Sequence, residues 1–267
     1  MLREPIVAGQ FYPSNPKRLR EDLESYCKLS ETLTEAKAIV APHAGYVYSG
    51  EVAGAVYGAI RIPKRAILLG PNHTGRGTPL SLYPAGEWRT PLGLVPIDDA
   101  INRSLLRECS ELSEDRSAHL REHSLEVQLP FLQLRVPDIR FSAICIGTGA
   151  FAPLEALGHA VARTILSLKD SVLIVSSSDM THYQPADFAT SQDRFAIDRM
   201  LSVDPEGLYR EVRDKGISMC GFAPTVAALT ACRDLGATSG RLVRYATSGD
   251  VSGDFASVVG YAALLIA

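Results

Sequence analysis

Residues 66–74 read Ala-Ile-Leu-Leu-Gly-Pro-Asn-His-Thr. Four apolar residues run straight into Gly70-Pro71-Asn72, and His73 follows. An unbroken apolar run of this kind is the pattern of a strand covered on both faces, as in the parallel sheets of α/β proteins. Gly70 and Pro71 end it sharply, which puts His73 just past the strand's carboxyl end, the edge of an open α/β sheet where ligands bind. The pattern recurs. Residues 38–41 lead into Pro42-His43, and residues 172–175 lead into Ser176-Ser177-Ser178-Asp179-Met180-Thr181-His182. Three expected strand ends therefore deliver three of the six histidines in the chain.

Helices are expected between the strands. Asn15 can cap a helix over 16–29 with Pro16 at its first position. Ser49 can cap one from residue 50, with Val52, Val56 and Ile60 on one face and Ala53, Gly54, Ala55, Gly58 and Ala59 small enough to pack closely on a sheet. Asp98-Asp99 opens another, 124–134 reads as helical with Pro130 kinking it or in its first turn, and 153–169, 186–201, 205–215 and 223–234 complete the set. Further strands are expected at 141–146, 240–247 and 256–263, and residues 80–83 and 86–89 as a short edge hairpin beside the site. Strands alternating with helices predict an α/β domain with helices on both faces of the sheet. No Ser/Gly/Pro-rich linker and no repeat divides residues 1–267, so one domain is expected.

With 46% apolar and 21% charged residues over 267 positions, the chain has the composition of a globular protein with a sizeable core. A net charge of -3, and arginines that form no stripe with aromatics between them, argue against nucleic-acid or anionic-membrane partners. Five cysteines, an odd number without a Cys-x-x-Cys pair, speak against a disulfide framework and for a reducing, cytoplasmic setting. The amino terminus lacks the apolar core of a signal peptide. The final ten residues, Val-Val-Gly-Tyr-Ala-Ala-Leu-Leu-Ile-Ala, are too few to span a bilayer and read as a closing core strand. P-loop, Gly-x-Ser-x-Gly and dinucleotide fingerprints are missing from the sequence.

His43, His73 and Cys220 form the candidate metal triad, because imidazole and thiolate suit Fe(II), Cu and Zn. The bland reading makes the histidines polar loop residues and Cys220 a small buried hydrophobe; Cys220 as a nucleophile beside a histidine is a further reading. Asp179 and His182, three residues apart, fit a ligand with an acid–base group, or a pair that orient each other; the bland reading makes Asp179 a plain helix cap. His119-Leu120-Arg121-Glu122-His123 matches the His-x-x-Glu-His pattern of inverted zinc proteases. That chemistry needs both histidines on one helical face, whereas this segment falls in a loop entering a helix, so Glu122 and His123 are expected at the rim of the same site. Tyr46, Tyr48, Asn72, Trp88 and Tyr183 are expected to line a substrate pocket. The Gly/Asp-rich turn at 248–254 reads equally as pocket lining or surface connection.

The stretches at 7–12, 41–50, 68–75, 122–133, 176–183 and 219–224, together with the terminal Gly-Tyr-Ala-Ala-Leu, resemble the Memo family over nearly the whole chain. The resemblance implies a single three-layer α/β/α domain with a mixed central sheet, similar to the class III extradiol dioxygenases, whose metal is non-haem Fe(II). It implies a metal set on His43, His73 and Cys220, with Asp179, His182, Glu122 and His123 nearby in acid–base or orienting roles. A divalent metal is expected, Fe(II) first, with Cu or Zn as alternatives. The thiolate in place of the dioxygenases' carboxylate means that ring cleavage does not carry over. The resemblance further implies an oxidoreductase acting on a small organic substrate, or else a peptide- or partner-binding scaffold or a metal-handling protein. Its implied partners are a radical-SAM protein and an AMMECR-type domain protein.

Overall fold

The computed structural model describes residues 1–267. In chain order the first elements are β1 (Leu2–Arg3), α1 (Pro16–Tyr26), β2 (Ala38–Ala41), α2 (Tyr46–Ala59), β3 (Arg65–Pro71), β4 (Leu80–Leu82), β5 (Glu87–Thr90), β6 (Gly93–Pro96) and α3 (Asp99–Glu108). Then come β7 (Ser113–Glu114), single 3-10 turns at Ser117–His119 and Glu126–Gln128, α4 (Leu129–Arg135), β8 (Arg140–Ile146), α5 (Phe151–Ser167) and β9 (Leu173–Ser177). The chain finishes with β10 (His182–Gln184), α6 (Ala186–Leu201), α7 (Pro205–Lys215), α8 (Phe222–Asp234), β11 (Gly240–Thr247), α9 (Gly249–Ser252) and β12 (Val258–Ile266).

The apolar runs become the parallel centre of a mixed, nine-stranded sheet ordered β10-β12-β2-β9-β3-β8-β4-β7, with β11 on the other edge of β12. β2, β9, β3 and β8 are mutually parallel; β12 and β4 flank them antiparallel. Alternate residues of each run feed opposite cores. Val40, Ile67, Leu69 and Ile174 pack with α3 and α5 to α8, while Ile39, Ala66, Leu68 and Val175 pack with α1, α2 and α4. The result is the three-layer α/β/α arrangement that the sequence predicts. All five cysteines are free, and no helix is long and apolar enough to cross a membrane.

Local chemistry moved several boundaries. α2 begins at Tyr46, one turn earlier than expected; Ser49 lies inside the helix and bonds Ala44 O rather than capping it. The glycine face of α2 meets the end of α1 rather than the sheet. A Cβ on Gly54 would stand 2.5 Å from Tyr26 Cβ, and one on Gly58 only 2.3 Å from Lys28 O. We expect Gly58→Val to destabilise the chain by about 1–3 kcal/mol in urea unfolding; a change below roughly 0.5 kcal/mol would mean that the two segments are not held this closely. β4 and β5 do not form a hairpin together: β4 joins the main sheet beside β8, and β5 joins β1 and β6 in a separate three-stranded sheet. Residues 124–134 split into a 3-10 turn and α4, with Pro130 in the first turn of α4.

Candidate metal centre

β2, β9 and β3 lie side by side, so the loops leaving their carboxyl ends meet above one edge of the sheet. His43 stands two residues past β2 and His73 two past β3, and His123 enters from the loop between the two 3-10 turns. One ligand atom from each lies within 4.8 Å of the other two. Ring centroids are 5.2 Å apart for His43 and His73, 5.6 Å for His43 and His123, and 5.0 Å for His73 and His123. His43 is buried, His123 half-buried and His73 exposed, so the cluster opens to solvent on the His73 side.

Hydrogen bonds behind two of the rings fix where their Nδ1 protons sit. Ser177 Oγ has one proton and gives it to Ser124 O at 2.6 Å. It must therefore accept from His43 Nδ1, 2.9 Å away, which leaves the Nε2 lone pair of a neutral His43 ring available. Gln128 holds the serine in place: its Nε2 donates to Ser177 Oγ and Pro42 O, both at 2.9 Å, and its Oε1 accepts from Tyr57. His73 Nδ1 donates to Glu122 Oε1 at 2.9 Å, so Nε2 is the nitrogen that the neutral ring would offer a cation. A carboxylate or hydroxyl behind the ring is how proteins orient metal-binding histidines.

Glu122 organises the loop ends as well as the ring. Oε2 accepts from His73 N at 2.6 Å, and Oε1 accepts from His123 N and Ser124 N, both at 2.9 Å. Burial pushes its pKa up, but the bond and charge of His73 and the Ser124 N–H prevail and hold it at about 2. Burial lowers His73, and the Glu122 bond and charge more than reverse this. His43 is held well below the usual histidine range by burial and by the charges of His123 and His73, and His123 is lowered by burial against the pull of Glu122. Two of the three rings are therefore neutral at neutral pH, the form that binds a cation. The donor set fits a borderline divalent ion.

The sequence reading placed Cys220 third with His43 and His73, and the geometry brings in His123. Cys220 Sγ lies 3.2 Å from His43 Nε2 but outside the group whose ligand atoms are all within 4.8 Å of one another. Burial and the Asp179 charge push its thiol up, so it is protonated in the absence of a cation. Asp179 caps no helix. Its buried carboxylate accepts from His43 N at 2.8 Å, and its backbone N–H points at the Cys220 sulfur, 3.3 Å away. Burial raises the Asp179 pKa, against the His43 N–H bond and the His182 and His123 charges. His182 Nδ1 donates to Ser218 O at 2.9 Å, leaving its Nε2 unengaged.

The expected pocket residues separate. Tyr48 and Tyr183 are exposed, at 42% and 75%, and Tyr183 packs beside the His182 ring. Asn72 spends its side chain on its own turn, bonding Thr74, Gly75 and Arg76. Tyr46 is buried, bonds Val127 O, and lines with Phe11 and Tyr26 a cavity of about 520 Å³ beside α1. Trp88 lines no pocket at this site: it is core, between the Arg3 guanidinium, Tyr83, His119 and Phe141. The inverted protease pattern also dissolves. His119 is buried with Nε2 on Ser81 O, facing Tyr83 and Trp88, away from the cluster. The turn at 248–254 forms α9, and Asp250 bonds only back to Thr247. Sequence reasoning missed Ser177, Gln128, Arg3 and Glu126. The signal for the last was present, since an acid within Leu-Glu-Val-Gln-Leu-Pro-Phe demands a buried partner.

A family model described as "Memo-like protein" matches residues 3–265. A MEMO1 family protein of Methanopyrus kandleri is 41% identical over 280 residues, covering 99% of both chains. One from Methanosarcina barkeri is 41% identical over 268 residues, covering 99% of this chain and all of the other. Among solved structures, an uncharacterized protein of Escherichia coli K12 superposes with a TM-score of 0.59 at 14% identity, over 86% of this chain and all of its own, a likeness of fold.

Proposed function

Since this chain belongs to the Memo-like protein family, we propose that His43, His73 and His123 hold a divalent metal, Fe(II) in preference to Cu or Zn, and that the cleft serves non-haem oxidoreductase chemistry on a small organic substrate. The observation that carries this reading is the orientation of two rings: Ser177 and Glu122 each take an Nδ1 proton, so that Nε2 is the nitrogen His43 and His73 would present to a metal. When bound, such an ion supplies Lewis acidity and one-electron chemistry. The chain supplies the rest. His182, with its Nε2 unengaged, is the proton-transfer group, and Asp179 fixes the His43 backbone. Cys220 is placed to join the ligand set from the His43 side or to be oxidised there.

The test is metal analysis of protein purified anaerobically without affinity-tag metals. We expect near-stoichiometric Fe or Cu in the wild type and less than about a tenth of it in His43→Ala, with Cys220→Ser retaining metal but changing its absorption spectrum. Failure of the wild type to retain added Fe(II) would defeat the oxidoreductase reading. The exposed Tyr48 and Tyr183 favour a second reading, a docking face for a peptide or for a radical-SAM or AMMECR-type partner. Partner binding that survives metal removal would select it.

A further inference from the structure

One guanidinium fastens the N-terminal segment to the loop that carries Glu122 and His123. Arg3 is 2% exposed and spends all three nitrogens there. Nε donates to His119 O at 2.8 Å, Nη1 to Glu126 Oε2 at 2.7 Å and Nη2 to Glu122 O at 2.7 Å. Its flat face lies 4.0 Å from the Trp88 ring centroid. Glu126 closes the clasp by accepting from Ile6 N at 3.0 Å, Val7 N at 3.1 Å and Tyr12 Oη at 2.7 Å.

Anchored in this way, residues 3–12 reach the loops of all three histidines. The Phe11 ring meets His123 edge-on at 4.8 Å. Phe11 O accepts from Tyr46 N at 2.7 Å, at the start of the helix that follows His43. His73 is tied in through Glu122, whose carboxylate holds the histidine while its backbone carbonyl holds Arg3.

We infer that this N-terminal strap, through Arg3, positions the metal centre: the three-armed contact sets where the Glu122–His123 loop stands relative to His43, and with it the affinity and geometry of the bound cation. The inference rests on the metal-centre reading above. A simple ion pair would need only the Glu126 bond; the two bonds to the carbonyls of His119 and Glu122 hold both ends of the turn that leads into Glu122. A planar fork spans those three acceptors, and a lysine ammonium does not.

The experiment is anaerobic titration of the full, metal-free chain with Co(II), read by its visible absorption. Arg3→Lys keeps a charge beside Glu126 but loses the fork. It is expected to raise the Co(II) Kd about 10–100-fold and to shift the bands. Leu229→Ala, a core truncation on the opposite face of the sheet, is expected to lose stability yet keep the wild-type Kd and spectrum. A wild-type Kd and spectrum in Arg3→Lys would overturn the inference and leave Arg3 a purely structural clasp. Should Arg3→Lys fail to fold, Phe11→Leu tests the same strap from a half-buried position: shifted bands support it and unshifted bands overturn it. A wild-type chain that binds no Co(II) overturns the metal reading and this inference together, whereas binding that ignores Arg3→Lys overturns the inference alone.

Discussion

Glu122→Ala is expected to bind a divalent cation about a hundredfold more weakly than the wild type. The carboxylate accepts from the His73 ring, His73 N, His123 N and Ser124 N, so its removal frees the His73 ring and loosens the loops that carry His73 and His123. Glu122→Gln should fall between, because an amide keeps one acceptor oxygen while its NH₂ meets an N–H donor at the other position. Competition with a chromophoric chelator measures both, and affinity within about threefold of wild type in the alanine variant would remove Glu122 from the metal centre.

The same residue sets an acid limit. Its folded pKa of about 2 lies below the ordinary value of 4.5, so its contribution to stability is fully present above the unfolded value and disappears as pH falls from there toward 2. On the order of 2 kcal/mol is at stake, discounted because the His73 side chain reaches solvent. Acid unfolding followed by circular dichroism should therefore lose part of its steepness between those pH values in Glu122→Gln, and a profile that merely shifts in parallel would contradict the assignment.

Glu126→Ala is expected to cost more in stability than any surface change. The Arg3–Glu126 pair is almost wholly inaccessible, with side-chain exposures of 1% and 0%. Breaking it leaves a buried guanidinium without its counter-charge and strips Ile6 N, Val7 N and Tyr12 Oη of their acceptor. Removing one partner of such a pair costs about 3–5 kcal/mol, which for a domain of this size lowers the melting temperature by on the order of 10 °C. A melting temperature within about 2 °C of wild type would show that water or a rearranged side chain replaces the carboxylate. Glu126→Gln, which retains an acceptor, should recover part of the loss.

The sequence by itself determined the strands of the central sheet and the place of the site. Residues 66–69, 38–41 and 172–175 are apolar at every position, and only burial on both faces accommodates that. Pro42 follows the last residue of β2 directly, whereas β3 continues through Gly70 and Pro71 in register with β8, two residues past the expected stop, before His73 emerges. The helices at 186–201 and 205–215 were equally legible, since Pro185 and Asp204-Pro205 mark their starts and Gly216, in a left-handed conformation, ends the second. Glu122 and His123 were expected at the rim, but that His123 groups with His43 and His73, and that Arg3 and Glu126 clasp the loop behind it, came only with the assembled fold. These residues lie on segments with no strong periodicity, and their roles depend on contacts across more than a hundred residues of chain, such as Arg3 to Glu126 and His43 to Asp179. Trp88 shows the converse: its residue type fits a pocket and a core equally, and the close fit of Arg3 against its ring placed it in the core. Local sequence constrains backbone dihedrals and burial, whereas a ligand set is a coincidence of positions in space that only the assembled fold specifies.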